Sequence, residues 1–207
     1  MSRIPYITQD RLTDAQKRVF DHITQGKRAK GRPLEKFLTP EGGLQGPYNI
    51  FLYSPDVGDA VQRLGEAVRF ETLIPPKLKE LAILVVGAKM KAQYEWWAHE
   101  RIGRKHGLDE GVMKSLKAGE QPDFDSQEQA LVFKFCRELL ETGRISDRLY
   151  AKAVELLGEA GLVELVFLLG YYTTVAMILN VFEISVPDGE QTPFPKNGHE
   201  NHVKNGG

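Results

Sequence analysis

The residues of this chain best suited to proton chemistry stand in the run Tyr94-Glu95-Trp96-Trp97-Ala98-His99. Glu95 and His99 are four apart, so on a helix they share a face, one turn from each other. Histidine titrates near neutrality and can take or give a proton there. A carboxylate beside it fixes its tautomer or serves as the second acid–base group. Glu95 falls near the start of its helix, where the positive end of the helix dipole favours the anion and burial disfavours it. The sequence leaves that balance open. Ala92 on the same face leaves room for a ligand or a close-packed helix, and Trp96 and Trp97 turn partly away, into wall or core. A further acid, Glu80, lies in the preceding apolar stretch. On an exposed helix a Glu–His pair is common and worth only about 0.2–0.5 kcal/mol, so spacing alone does not make a site. As metal ligands, Glu80, Glu95 and His99 form a thin set with no second cluster, and no metal is expected.

The elements that must position these groups are helical. Thr13-Asp14-Ala15-Gln16 has capping-box spacing and predicts a helix through Val19, Phe20 and Ile23 to Gly26. A Gly/Pro-rich loop follows to about Tyr53, and a loop this long in a compact protein is functional or disordered. Its apolar end, residues 44–52, is expected to be ordered. Ser54-Pro55 opens the next helix and Pro75-Pro76 the one after. Further helices are predicted over about 92–105, 109–117, 126–141 and 146–157, and a last, most apolar one follows Gly161. The tail from Pro187 is polar and expected to be mobile or to lie on a neighbouring subunit. No alternating strand and no repeat appears, so an all-α bundle is the packing solution.

Composition bounds the partners. With 27 Lys+Arg against 28 Asp+Glu, the net charge of −1 gives no electrostatic reason to expect nucleic acid or an anionic membrane. The basic run Lys27-Arg28-Ala29-Lys30-Gly31-Arg32 reads as a solvated loop. The single cysteine, Cys136, excludes an intrachain disulfide or a CxxC pair and fits a reducing, cytoplasmic setting. It sits among Val132, Phe133, Phe135 and Leu139 and reads as a buried apolar residue. The stretch Leu162–Ile184 is apolar, but it carries Glu164, paired tyrosines, Asn180 and Glu183. A buried helix is therefore expected there rather than a membrane span.

Several motifs resemble the carboxymuconolactone decarboxylase family, within the alkylhydroperoxidase-D-like superfamily. They are Gly46-Pro47-Tyr48-Asn49, Ser54-Pro55, the run Leu73-Ile74-Pro75-Pro76-Lys77-Leu78-Lys79-Glu80-Leu81-Ala82-Ile83-Leu84, the hexad Tyr94 to His99, and Gly107-Leu108. Together they cover roughly residues 44–120. The resemblance implies an all-α homo-oligomer, trimer or hexamer, with a small-molecule site at Glu80, Glu95 and His99. It divides the chain into an N-terminal extension (1–43), a helical domain (44–186) and a tail (187–207). Peroxidase members show a glutamate, a cysteine twelve residues on, a second cysteine three later and a histidine four after that. Counted from Glu80, those positions hold Ala92, Glu95 and His99. Both thiols are missing, and a dithiol peroxidase needs a nucleophilic and a resolving thiol.

What the resemblance then implies is the decarboxylase branch, a cofactor-free lyase acting on a small carboxylated lactone or related ring-cleavage metabolite. His99 is expected as proton donor, Glu95 as its orienting or proton-sharing partner, and Glu80 as a relay behind them. Tyr48, Asn49, Tyr94 and Arg69 are expected to contact substrate, with Lys79 a further anion anchor. The alternatives are an alkylhydroperoxidase-like oxidoreductase and a non-catalytic binding oligomer of the same fold. An oligomer also has a physical motive, since 162–182 is apolar around most of its circumference.

Overall fold

The computed structural model of the protein describes residues 2–195. Among them there are eight α-helices and no strand, only two isolated bridges, Thr8 with Gly43 and Leu38 with Leu44. α1 (Asp14–Gln25) starts at the predicted capping box. The Gln16 amide donates to Thr13 Oγ1 and the Thr13 amide to Gln16 Oε1. Its apolar stripe Val19, Phe20 and Ile23 is buried with Phe37, Leu44, Phe51 and Leu52 in a small core of its own. That core joins the N-terminal segment to residues 44–52, so the chain is continuous across the boundary expected at 43.

α2 (Tyr48–Phe51) is a single turn inside the expected long loop. α3 (Pro55–Phe70) and α4 (Pro76–Met90) both begin on prolines, whose fixed φ suits a first helical position and whose missing N–H loses nothing there. α4 is buried at every position from Leu78 to Gly87 and is the centre of the bundle. Lys91, in the left-handed region at φ 49°, ends it, and α5 (Gln93–Lys105) turns back against it at once. α6 (Glu110–Ala118) is capped by Asp109, and α7 (Gln127–Thr142) by Ser126.

α8 (Asp147–Val181) is interrupted at Gly158, which leaves helical geometry at φ 70°. The two predicted helices on either side are thus nearly continuous. α8 is long and apolar enough to cross a membrane by length and composition alone, but its second arm lays Leu162, Leu165, Leu168, Leu169, Tyr172 and Leu179 into the bundle, packed against α4. Its opposite face leaves Val163, Val166, Phe167, Met177 and Val181 exposed.

The expectation of a mobile tail from residue 187 is corrected for its first part. Phe194 is 4% exposed and meets the Trp96 ring edge-on at 5.4 Å. Gln93 holds it from both sides, donating to the Phe194 carbonyl and accepting from its amide, each at 2.9 Å. An aromatic side chain in an otherwise polar tail is what seats it. The remainder of the expected tail, 196–207, lies outside the described residues.

Candidate active site

α4 and α5 bring Glu80 and His99 together across nineteen residues of sequence. His99 Nδ1 lies 2.7 Å from Glu80 Oε2, and both side chains are buried. Burial raises the cost of ionising Glu80, but the His99 imidazole, its hydrogen bond and the nearby Arg69 and His106 outweigh it and hold the carboxyl below its ordinary value. Burial also pulls His99 below its ordinary value, against the attraction of Glu80. The arrangement at neutral pH is therefore a Glu80 carboxylate accepting from Nδ1–H of a neutral imidazole. That fixes the tautomer and leaves Nε2 as the unprotonated ring nitrogen. Tyr172 buttresses the ring edge-to-face, centroids 4.9 Å apart.

Glu95 does not contribute to that pairing. It is 2% exposed, and neither carboxyl oxygen has a hydrogen-bond partner among the described residues. Burial alone pushes its pKa well above the carboxylate range. In the contest between helix dipole and desolvation, desolvation wins, and Glu95 is a neutral carboxylic acid at pH 7. The role of orienting His99, expected of Glu95, belongs by geometry to Glu80.

Glu95 and His99 line a cavity of about 350 Å³ with Tyr48, Arg69, Tyr94, Trp97, Tyr171 and Tyr172. That volume suits a small molecule. Loop 44–47 closes one side by running against the Tyr94 ring at Gly46, where φ is 61° and any Cβ would strike that ring. Burial raises the Tyr94, Tyr171 and Tyr172 hydroxyls, Tyr171 to about 12, so all three remain protonated and able to donate. Of the residues expected to bind substrate, Tyr48, Tyr94 and Arg69 are on the wall. Asn49 is not. Its amide donates to the Pro5 carbonyl and its carbonyl oxygen accepts from the Ile7 amide, both at 2.9 Å, so it fastens the N-terminal strand of chain. Lys79 is also elsewhere, donating to the Arg69 carbonyl at 2.8 Å.

The basic run expected to be a solvated loop supplies two cations to the same cavity. Arg28 is 8% exposed, and Arg32 stands over the Phe37 ring at 4.2 Å. With Arg69, Arg101 and Lys105, five cations line a cavity whose own carboxyl is neutral. Among the described residues only Arg101 of these has an ion pair, with Glu190. A field of this sign draws and holds anions. Sequence reasoning missed Arg28, Arg32, Tyr171 and Tyr172. The paired tyrosines carried a usable signal, since two phenols in an apolar helix must find polar partners. Cys136 is buried, with its thiol pushed up by burial, and is not on the cavity wall.

Residues 55–123 match the carboxymuconolactone decarboxylase family. No curated protein matches the chain. Among solved structures, an uncharacterized peroxidase-related protein from Ralstonia eutropha JMP134, described as an alkylhydroperoxidase AhpD core, superposes with a TM-score of 0.68. The identity is 13%, over 90% of this chain and 93% of that one. An uncharacterized peroxidase-related protein from Silicibacter sp. TM1040 gives a TM-score of 0.67 at 13% identity, over 91% and 92% of the two chains. The chain thus has the all-α alkylhydroperoxidase-D-like fold, and the segment that carries Glu80, Glu95 and His99 is the one that matches the carboxymuconolactone decarboxylase family.

Proposed function

We propose that the protein is a cofactor-free lyase that decarboxylates a small carboxylated lactone or related ring metabolite in this cavity. The observation that carries the reading is a neutral, unpartnered carboxylic acid, Glu95, one turn from a neutral imidazole in a cation-lined cavity. Environments that push two titratable groups to opposite sides of their ordinary behaviour mark acid and base assignments. Arginine side chains hold the substrate anion. The bond from the ring carbon to the departing carboxylate breaks, carbon dioxide leaves, and the electron pair enters the conjugated lactone. Glu95 then gives its proton to carbon and becomes a carboxylate. His99 Nε2 takes a proton from solvent and returns it to Glu95, while the Glu80 carboxylate steadies the transient imidazolium. This moves the donor role from His99, where sequence placed it, to Glu95.

A dithiol peroxidase is disfavoured, because the sole thiol is buried away from the cavity. Assembly into a homo-oligomer belongs to the same reading, supported by the exposed stripe Val163, Val166, Phe167, Met177 and Val181. A monomer mass by size exclusion with light scattering contradicts that part. A cytoplasmic location fits the single buried thiol.

The test is carbon dioxide release from a panel of carboxylated lactones and β-keto acids. Glu95→Gln and His99→Asn are each expected to lower turnover by about 10²- to 10⁴-fold. Turnover that survives both substitutions removes the acid–base assignment. No turnover of any panel member by the parent protein favours a binding module instead.

A further inference from the structure

Arg28 belongs to the N-terminal segment, outside the stretch 55–123 that matches the family, yet it forms part of the cavity wall. Its Nη2 donates to the Gln62 carbonyl at 2.8 Å, while Nε and Nη1 are buried with no partner among the described residues. No carboxylate pairs with it there. Two acids of α3 and its C-terminal end are engaged by Lys27, Glu66 by its backbone amide and Glu71 by its ammonium. A buried guanidinium with unmet donors is costly unless an anion completes it.

The surroundings are shaped to hold it. The guanidinium stands over the Tyr48 ring at 5.7 Å, and the Tyr171 phenol meets it over Gly65. α3 approaches at Gly65, where any Cβ would collide with both Tyr171 and Arg28. A second cation on the wall, Arg69, also lacks an ion pair among the described residues. Tyr48, Tyr94 and Trp97 add aromatic surface to the wall.

We propose that Arg28 anchors a carboxylate of the ligand, so that the N-terminal segment completes the cavity and selects small cyclic carboxylates over their neutral counterparts. The proposal rests on the lyase reading only in placing the ligand in the same cavity. A planar guanidinium recognises a carboxylate by charge-assisted hydrogen bonds, and the aromatic walls suit a flat ring. The other cations that line the cavity draw the anion in.

The experiment is calorimetric titration of the full chain with benzoate and benzamide, which share a ring and differ in charge. The parent protein is expected to bind benzoate about tenfold or more tightly than benzamide, and Arg28→Gln to bring that ratio to within about twofold. An unchanged ratio in Arg28→Gln overturns the proposal, as does a parent protein that shows no benzoate binding at about 10 mM. Should Arg28→Gln fail to fold, Arg28→Lys is read instead. It keeps the charge and loses the planar donors, so the ratio is expected to drop several-fold, and an unchanged ratio again overturns the anchor. Binding needs no turnover. Loss of the lyase reading with the Arg28-dependent preference intact therefore leaves the anchor standing, and the reverse result leaves the lyase.

Discussion

Replacing Glu95 with glutamine is expected to stabilise the protein at neutral pH and to remove part of its sensitivity to base. The folded protein holds Glu95 buried and unpartnered, with its pKa raised well above the ordinary 4.5, whereas the unfolded chain ionises it normally. Between those two values the folded state keeps a proton that the unfolded state has released. Stability from this group is therefore fully present below about pH 4.5 and is lost as pH rises toward the folded value. One proton sets the limit at about tenfold in the folding equilibrium per pH unit, on the order of 1 kcal/mol. Glutamine has nearly the same shape and cannot ionise. Glu80 and His99 titrate in both proteins, so their contributions cancel in the difference. Urea unfolding of parent and Glu95→Gln, followed by circular dichroism at pH 5, 6, 7 and 8, reads the effect directly. The gap in unfolding free energy is expected to widen in favour of the variant by on the order of 1 kcal/mol per unit until the folded value is passed. Parallel curves would refute the reasoning, because they would mean that water or a partner solvates the folded carboxylate.

Gly65→Ala forces a Cβ into the Tyr171 hydroxyl and the Arg28 guanidinium. It is expected to lower stability by about 1–3 kcal/mol by thermal unfolding and to weaken benzoate binding with it. Asn49→Ala loses two 2.9 Å bonds to the N-terminal strand of chain, at about 1–3 kcal/mol. It is expected to leave ligand affinity unchanged, since Asn49 is off the cavity wall, and a shift in affinity by calorimetry would contradict that placement. Phe194→Ala removes a buried ring from Trp96 and is expected to cost about 3 kcal/mol or more. An unchanged unfolding midpoint would mean that residues 187–195 are not seated on the bundle.

The helices were legible because their signals are local. Thr13 with Gln16, Pro55, Pro76 and Ser126 each act on the turn they begin, and the structure starts helices at all four. Spacing within one helix likewise put Glu95 and His99 on one face. What spacing could not give was which acid His99 pairs with. That depends on how α5 lies on α4, a tertiary fact, and the answer is Glu80, nineteen residues away. Nor could it decide the charge of Glu95, since the helix dipole acts locally while desolvation depends on everything packed around the site. Arg28 was misread for the same reason. A basic run looks solvated in sequence, and only the meeting of the N-terminal segment with α3 and α8 buries one of its members.

The unsatisfied polar atoms converge on one place, and that convergence is itself an argument for a site. Nine buried side-chain nitrogen and oxygen atoms lack a hydrogen-bond partner among the described residues. Five of the nine belong to Arg28, Glu95 and Trp97, all of which line the one cavity that also holds His99. Buried polar groups are ordinarily satisfied, and each exception costs about 1–3 kcal/mol. A fold under selection for stability alone would have placed apolar side chains at these positions, as it does over Leu81–Val86 of α4. An unmet cation and an unmet neutral acid on the walls of one cavity are instead the complement of an anionic ligand that carries a hydrogen-bond acceptor. The same ligand would relieve both costs when it binds, which is why stabilisation of the parent protein by a carboxylate, and its loss in Arg28→Gln, bears on the whole reading and not on one residue.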